Sequence, residues 1–184
     1  MKLLLENWRH FLSESVESVD PEKEVYLGEI QVEDKVIPVF LDPENGIGQV
    51  GWNLNVNYRG FVIYMTPGEF LSLNPKREHN LDGLSEFMLS QDELRIGPPW
   101  LSTRWDEEAD QWVVKGHEGR GRMEVLNEYM PNEKIPVHVF PRGMRARDVT
   151  DEMLFADILA DPRGATEGTF SPAKVILNGE TRTQ

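Results

Sequence analysis

The sequence predicts an α+β fold in which a mixed β-sheet is combined with short helices. The first half of the chain is rich in strand-forming residues, and Asn53 to Tyr58 alternates polar and apolar side chains as a half-buried strand does. Short helix signals lie between the predicted strands, and the clearest of them is the capping-box sequence Thr66-Pro67-Gly68-Glu69. The 184 residues fit one domain with extensions, and they are enough to bury a proper hydrophobic core.

The composition excludes several kinds of protein. The chain has no cysteine, which excludes disulfides, thiolate metal sites and thiol chemistry. Its four histidines are scattered without the spacing of metal ligands, so the sequence predicts no structural zinc site. No run of residues approaches the roughly 20 apolar side chains of a membrane helix. The first residues do not have the form of a signal peptide, so no membrane partner is expected.

The formal net charge of −13 at pH 7 argues against a protein that coats nucleic acid, because phosphate contacts dominate that kind of affinity. The charge is uneven along the chain. Residues 115 to 147 hold seven Lys or Arg against four Glu, a local charge of +3 that leaves −16 on the rest. These side chains are either ordinary solvated charges or a basic pocket on an acidic body, and such a pocket suits a small anion.

Residues 1–23 are predicted to form an amphipathic N-terminal helix followed by a linker. Between residues 2 and 14, four apolar side chains recur at helical spacing, namely Leu4, Trp8, Phe11 and Leu12. An isolated helix of this length is marginal in water, so it must dock on something. The docking site is either the body of the chain or a partner protein.

The β-rich N-terminal part is predicted to form a small antiparallel sheet or hairpin between Val25 and Val62, because its strand-like runs are separated by turn residues. A further strand ends at Met65. The helix that the capping box begins is short and runs through Leu73, because Pro75 prevents its continuation. A polar loop follows, and a second short helix is predicted from Leu84 to Leu89.

The second half of the chain is predicted to alternate strands and helices. Two strands, from Trp100 to Trp105 and from Gln111 to Lys115, form a hairpin around an acidic turn. A strand from Ile135 to Pro141 places His138 between two valines, which indicates a half-buried strand residue rather than a ligand. The last helix starts at Asp148 or Thr150 and runs to Leu159.

The predicted organisation has three segments. The amphipathic helix and linker precede a single α+β domain over residues 24–160, and residues 161–184 form an extended C-terminal tail. One apolar run in this tail, from Lys174 to Leu177, is predicted to be an extended arm or an edge strand.

The stretch from Val113 to Leu126 is predicted to be a strand that ends in a glycine-rich loop and opens a helix. The loop glycines are Gly116, Gly119 and Gly121, and the helix that follows must end before Pro131. A glycine loop at a helix N-terminus offers backbone N–H groups and the positive end of the helix dipole, and both suit an anion.

Three basic side chains lie in the same loop, namely His117, Arg120 and Arg122. They strengthen the hypothesis that the loop binds phosphate or another anion. The alternative is a tight strand-to-helix turn whose arginines are in solvent, and short motifs of this kind have many false positives.

The segment from Ile96 to Phe140 resembles the core of the ParB/sulfiredoxin-like superfamily. The resemblance rests on the Pro-containing approach Gly97-Pro98-Pro99, on two strands, on a Gly-x-x-Arg loop entering a helix (Gly119 and Arg122), and on Ile-Pro-Val-x-Val. The longer string Gly-His-Glu-Gly-Arg-Gly-Arg-Met is similar to a set of tailed-phage proteins. The superfamily core would cover residues 96–140, about a quarter of the chain.

The resemblance implies an ATP- or CTP-type site with Mg²⁺. Its phosphate-binding residues would be Gly116, Gly119, Arg120, Gly121 and Arg122, with Arg142, Arg145 and Arg147 as supporting basic residues. His117 or Glu118 would handle a proton or a metal ion as the catalytic group. Glu118 could equally be a salt-bridge partner for Arg145 or Arg147.

Two departures from the superfamily limit what the resemblance implies. Arg120 occupies the position of the sulfiredoxin cysteine, which excludes sulfinic-acid repair. The chain lacks a helix-turn-helix half, so it is not expected to clamp DNA. The leading hypothesis is therefore a phage-encoded nucleotide- or phosphate-binding protein, for which nucleotide hydrolysis or phosphotransfer stays open.

The alternative hypothesis is a non-enzymatic interaction protein of the virion interior or of host takeover, which docks through residues 1–14. This segment resembles the leaders of prohead proteins of large tailed phages, which a maturation protease removes after a Glu in a Leu-x-Glu context, here Leu12-Ser13-Glu14. Either hypothesis places the protein in the host cytoplasm or in the phage virion interior.

Overall fold

The computed structural model describes residues 24–47, 60–73, 81–161, 174–177 and 180–183. The predicted amphipathic helix of residues 1–23 and the predicted strand from Asn53 to Tyr58 lie outside these residues. None of the described helices is long and apolar enough to cross a membrane.

The described residues form an α+β fold with short helices, as predicted. The strands are β1 (Val25–Val32), β2 (Lys35–Leu41), β3 (Phe61–Met65), β4 (Leu94–Ile96), β5 (Trp100–Asp106), β6 (Gln111–Glu118), β7 (Ile135–Pro141), β8 (Lys174–Leu177) and β9 (Glu180–Thr183). The α-helices are α1 (Pro67–Ser72), α2 (Asp82–Ser90), α3 (Arg120–Tyr129) and α4 (Asp151–Ala160), and a 3-10 helix spans Met144–Arg147.

The smaller sheet has the strand order β1-β2-β4. Strands β1 and β2 form the predicted antiparallel hairpin, and β4 adds to β2 in parallel through pairs such as Val39 with Leu94. The parallel strand β4 was not predicted, because a strand of three residues shows no periodicity of its own.

The larger sheet has the strand order β6-β5-β7-β3-β8-β9. The predicted hairpin of β5 and β6 is confirmed, but β6 continues through Glu118 rather than ending at Lys115. Strand β7 lies between β5 and β3, as a buried strand should. The prediction of an edge strand at Lys174 to Leu177 is wrong, because β8 pairs with both β3 and β9.

Helix boundaries follow the capping signals in the sequence. At the start of α1, the Thr66 side chain accepts a hydrogen bond from the Glu69 backbone N–H, and the Glu69 carboxylate accepts one from the Thr66 N–H at 2.6 Å. Lys134 donates to the same carboxylate at 2.8 Å. Helix α4 begins after Thr150, whose hydroxyl caps the Met153 N–H, so the later of the two predicted starts is correct.

The two faces of the larger sheet differ in what they contact. One face, called here the core face, carries Phe61, Ile63, Leu101, Val137 and Val139, and these join residues of the smaller sheet and the helices in one hydrophobic core. The opposite face, called here the second face, carries the cross-strand neighbours Val62, Trp100, His138 and Phe140. The β7 residues on both faces are buried.

His138 lies on the second face and is 5% exposed, so it is buried more deeply than the half-buried position that the sequence predicts. Its ring lies 5.1 Å from the ring of Phe140. Burial lowers the pKa of His138 to about 4, because a charged imidazolium in this apolar surrounding would lose its hydration. The folded protein therefore holds His138 neutral at pH values at which an unfolded chain protonates it.

We expect His138 to make the protein less stable as the pH falls from about 6.5 to about 4. Unfolding releases a histidine that binds a proton in this range, so the stabilisation present above pH 6.5 is lost progressively, by up to about 3 kcal/mol in total. Urea unfolding at several pH values would measure the loss. His138→Gln should show a flatter dependence than the wild type over this range, and identical slopes for the two proteins would contradict the prediction.

Candidate functional site

The site that the sequence predicts lies where β6 passes into α3. Strand β6 ends at Glu118, Gly119 adopts a left-handed conformation with φ 94°, and α3 starts at the next residue. The predicted order of strand, glycine and helix is therefore confirmed, but only one of the three glycines lies in the turn.

The other two glycines allow neighbouring elements to approach closely. Gly116 lies in β6, where a Cβ atom would come within 2.6 Å of the Ser102 hydroxyl on β5. Gly121 lies inside α3, where a Cβ atom would come within 2.8 Å of the Leu84 side chain of α2. Gly116 therefore allows β5 and β6 to approach closely, Gly121 does the same for α2 and α3, and neither lies in the turn itself.

Gly119 leaves room for the side chain of Arg122 beneath the turn. A Cβ atom on Gly119 would lie 2.8 Å from Nη2 of Arg122 and 2.9 Å from Cβ of Pro99. The positive φ also disfavours any side chain at this position. Arg122 therefore occupies a space bounded by the turn and by the buried connection from β4 to β5, Gly97-Pro98-Pro99.

The guanidinium of Arg122 is buried, since the residue is only 4% exposed. Its Nη1 donates a hydrogen bond to the Ile47 carbonyl, which also accepts one from the Gly97 N–H at 2.9 Å. Its Nη2 lies 3.6 Å from the Glu118 carboxylate. Among the described residues, the buried Nε and Nη2 atoms have no hydrogen-bond acceptor.

This arrangement is electrostatically costly for Arg122. Burial lowers the pKa of its guanidinium, and the Glu118 carboxylate opposes that shift without cancelling it. A buried charged donor without an acceptor costs more than an ordinary missing hydrogen bond. An acceptor placed at Nε and Nη2 would remove that cost.

Arg120 is also buried but points away from this position. It forms an ion pair with Glu124, with Nε 2.8 Å from the carboxylate, one turn further along α3. Residues that are two positions apart in a helix lie about 200° apart around its axis, so the side chains of Arg120 and Arg122 leave the helix on different sides. The prediction that both guanidinium groups hold one phosphate is not supported by this geometry.

His117 and Glu118 likewise belong to opposite faces of the sheet. His117 pairs with Leu101 of the core face, and Glu118 pairs with Trp100 of the second face, because side chains alternate along β6. Only Glu118, whose side chain is 39% exposed, reaches the Arg122 guanidinium. The two candidate catalytic residues therefore do not converge on one reacting atom.

Glu118 forms an ion pair with Arg122, and Arg145, one of its two expected partners, pairs elsewhere. Arg145 instead pairs with Glu107 at 3.1 Å, and its guanidinium lies over the Trp105 ring. The side chain of Arg147 lies outside the described residues. Trp105 is five residues from Trp100, about 16 Å along β5, so Arg145 is remote from the Arg122 position.

Arg142 does approach the site. Its guanidinium lies 5.2 Å from the ring centre of Trp100 and 5.1 Å from that of Phe140. Trp100 is the direct cross-strand neighbour of Glu118. Of the two supporting basic residues whose side chains are described, Arg142 is thus the one next to the β6–α3 turn.

Comparisons with protein-family models, curated proteins and solved structures found no match to this chain. The resemblance to the ParB/sulfiredoxin-like superfamily stays a prediction that rests on the motif residues. In the described part of the chain, no three His, Asp or Glu side chains converge as ligands for a metal ion.

Sequence reasoning missed two parts of the site. The Ile47 carbonyl is a backbone group far from the motif in sequence, and nothing in the residues around it indicates that it binds Arg122. Trp100 had a detectable signal, because it begins the strand that pairs with β6, but its position opposite Glu118 depends on how far β6 extends.

Gly119→Ala should destabilise the protein by about 2 kcal/mol. A left-handed conformation costs a residue with a side chain roughly 1–2 kcal/mol, and the new methyl group would also press on Arg122 and Pro99. Gly83→Ala is the matched control, because the space around Gly83 in α2 is open, and it should stabilise the protein by about 0.5–1 kcal/mol. Urea unfolding measures both changes, and equal effects would contradict this account of Gly119.

Proposed function

We propose that the protein binds the phosphate group of a small anionic ligand at the N-terminus of α3. The observation that carries this proposal is the buried guanidinium of Arg122, with Nε and Nη2 lacking an acceptor among the described residues. A phosphate offers several strong acceptor oxygens, and its geometry suits the planar fork of an arginine.

The backbone of α3 supports the same ligand. The first hydrogen bond inside the helix runs from the Met123 N–H to the Gly119 carbonyl at 3.0 Å, so the N–H groups of Gly121 and Arg122 precede the hydrogen-bond ladder of the helix. In the described chain, no side chain caps this helix, and its first turn holds two arginines and no acidic residue. The helix dipole and the Arg122 side chain together favour an anion at this end.

The starts of the other three described α-helices follow the usual pattern of charge. The first turn of α1 carries Glu69, that of α2 carries Asp82, and that of α4 carries Asp151 and Glu152. These acidic residues stabilise the positive end of each helix. At α3 the corresponding negative charge would come from the ligand.

Glu118 acts in this proposal as the counterion of Arg122 in the absence of ligand. Its side chain is 39% exposed, and its carboxylate, at 3.6 Å from Nη2, is beyond hydrogen-bond distance. A doubly charged phosphate would bind the same guanidinium more strongly than one partly solvated carboxylate. The ligand would therefore displace Glu118 from Arg122.

The resemblance suggests ATP or CTP with Mg²⁺ as the ligand, and the residues present fit its phosphates. The Arg122 guanidinium and the N–H groups of residues 121 and 122 would hold the phosphate oxygens, and Mg²⁺ would neutralise part of their charge when bound. If hydrolysis or phosphotransfer follows binding, Glu118 is the candidate general base, because His117 belongs to the opposite face. The local charge of +3 on an acidic body favours a small anion over a nucleic acid.

Arg122→Gln should abolish the binding of phosphate compounds. The test is a thermal-shift series with inorganic phosphate, pyrophosphate, tripolyphosphate and nucleotides, each with and without Mg²⁺. A ligand at 100 times its Kd should stabilise the wild type by roughly 2.7 kcal/mol. Arg120→Gln is the matched control, because it removes a buried arginine from the same turn whose side chain points towards Glu124. Its response to ligand should match that of the wild type.

A series without any shift in the wild type would contradict the phosphate site. It would favour the interaction-protein hypothesis, under which removal of residues 1–14 should abolish partner binding. A shift that Arg122→Gln retains would also contradict the proposal. Far-UV circular dichroism of each variant would verify that the fold is preserved.

Glu118→Gln should strengthen the binding of tripolyphosphate in Mg²⁺-free buffer by about 0.5–1 kcal/mol. The substitution removes the carboxylate that competes with the ligand for Arg122. The expected gain in binding free energy is small, because Glu118 is partly exposed and solvent screens its charge. Isothermal titration calorimetry would measure the affinity of both proteins. Weaker binding by the variant under these conditions would contradict the counterion role of Glu118.

A further inference from the structure

We infer that Trp100 and Arg142 form a base-stacking site, on which a nucleotide held at the phosphate site places its base. The inference rests on the proposed phosphate site and adds the position and the residues that would bind the base. The observation behind it is an arginine held against two aromatic rings directly beside the β6–α3 turn.

The strand register connects Trp100 with the phosphate site. Trp100 pairs with Glu118 across β5 and β6, so both side chains lie on the second face as direct neighbours. Glu118 in turn reaches to within 3.6 Å of Arg122 Nη2. One residue therefore separates the indole from the guanidinium proposed to hold phosphate, and the base and phosphates of one nucleotide could occupy both places.

Arg142 and two rings form what we call the stacking platform, consisting of Trp100, Phe140 and Arg142. The Arg142 guanidinium is 5.2 Å and 5.1 Å from the two ring centres, and the rings are 5.4 Å apart at an angle of 52°. Phe140 is buried, Trp100 is half-buried and Arg142 is exposed. Phe140 thus forms the buried part of the platform, and the Arg142 guanidinium and the Trp100 indole form its accessible edge.

Planar bases stack on both kinds of group. Proteins bind unpaired bases on aromatic rings and on arginine guanidinium planes, and each stacked base contributes enough affinity to be detected by substitution. A ligand without a base, such as inorganic phosphate, would leave the platform unused. Because every base has a π-face, stacking of this kind tolerates changes of base, so the four common nucleoside triphosphates should have similar affinities.

The test compares nucleoside triphosphates with tripolyphosphate, which carries the phosphates without base or sugar. The full chain should bind ATP, CTP, GTP and UTP about tenfold or more tightly than tripolyphosphate, as stacking of one base implies. Trp100→Leu should remove this advantage and leave the affinity for tripolyphosphate unchanged. Arg142→Gln also removes a nearby positive charge, so it should weaken the binding of nucleotides more than that of tripolyphosphate and thereby reduce the ratio of the two affinities. Arg122→Gln should abolish the binding of both kinds of ligand.

Arg145→Gln is the matched control for Arg142→Gln. It removes another exposed arginine that lies over a tryptophan, 4.9 Å from the Trp105 ring centre, but remote from the turn. It should bind all ligands as the wild type does. The fluorescence of the indoles gives a second measurement, since a nucleotide should quench wild-type emission more than tripolyphosphate does, and Trp100→Leu should remove the difference.

Two results would overturn the inference in distinguishable ways. Equal affinities of the wild type for nucleotides and tripolyphosphate, with binding lost in Arg122→Gln, would exclude the stacked base and retain the phosphate site. If Arg122→Gln still binds both kinds of ligand, or if the wild type binds neither, both proposals are overturned. If Trp100→Leu does not fold, the result for Arg142→Gln decides, because Arg142 is exposed and its substitution leaves both rings in place.

Discussion

The hydrogen bond from the buried guanidinium of Arg122 to the Ile47 carbonyl is the interaction on which the arrangement around the β6–α3 turn depends. Through the Ile47 carbonyl it ties α3 to the end of the smaller sheet, and the same carbonyl accepts the Gly97 N–H that begins the connection to β5. The fit is tight, since a Cβ atom on Gly46 would lie 2.2 Å from the Gly97 nitrogen. A charge held this way imposes its geometry on the segments around it, because moving any of them would expose its donors to apolar surroundings.

Local signals in the sequence predicted those parts of the fold whose stabilising contacts are also local. The capping box at Thr66, the hairpin of β1 and β2 and the hairpin of β5 and β6 all depend on residues close together in the chain. The order of strands in the larger sheet and the parallel addition of β4 to β2 depend on distant contacts and have no local signal. One local signal was overlooked, because Asn178-Gly179 between β8 and β9 is a typical hairpin sequence.

The candidate site was predicted in its position and only partly in its geometry. Gly119 and Arg122 lie at the turn into the helix as the motif indicates. The sequence could not show on which face the neighbouring side chains lie, because this depends on where the strand ends. Strand β6 runs three residues further than its apolar pattern predicts. Successive side chains of a strand lie on opposite faces, so this extension decides the face of each of them. As a result, His117 and Glu118 lie on opposite faces of the sheet. Because α3 already starts at Arg120, helix geometry directs the side chains of Arg120 and Arg122 to different sides of the helix.

The position of β8 inside the larger sheet has a consequence for how the chain reaches its folded state. Val62 of β3 pairs with Ile176 of β8, more than a hundred residues later in the sequence. Contacts of such high sequence separation form slowly, since the loop between them must close first. During synthesis on the ribosome, β3 and β7 can pair while the other edge of β3 still presents unpaired backbone groups. That edge is the place where a nascent chain of this protein is most open to pairing with another chain, and to a chaperone that binds extended segments.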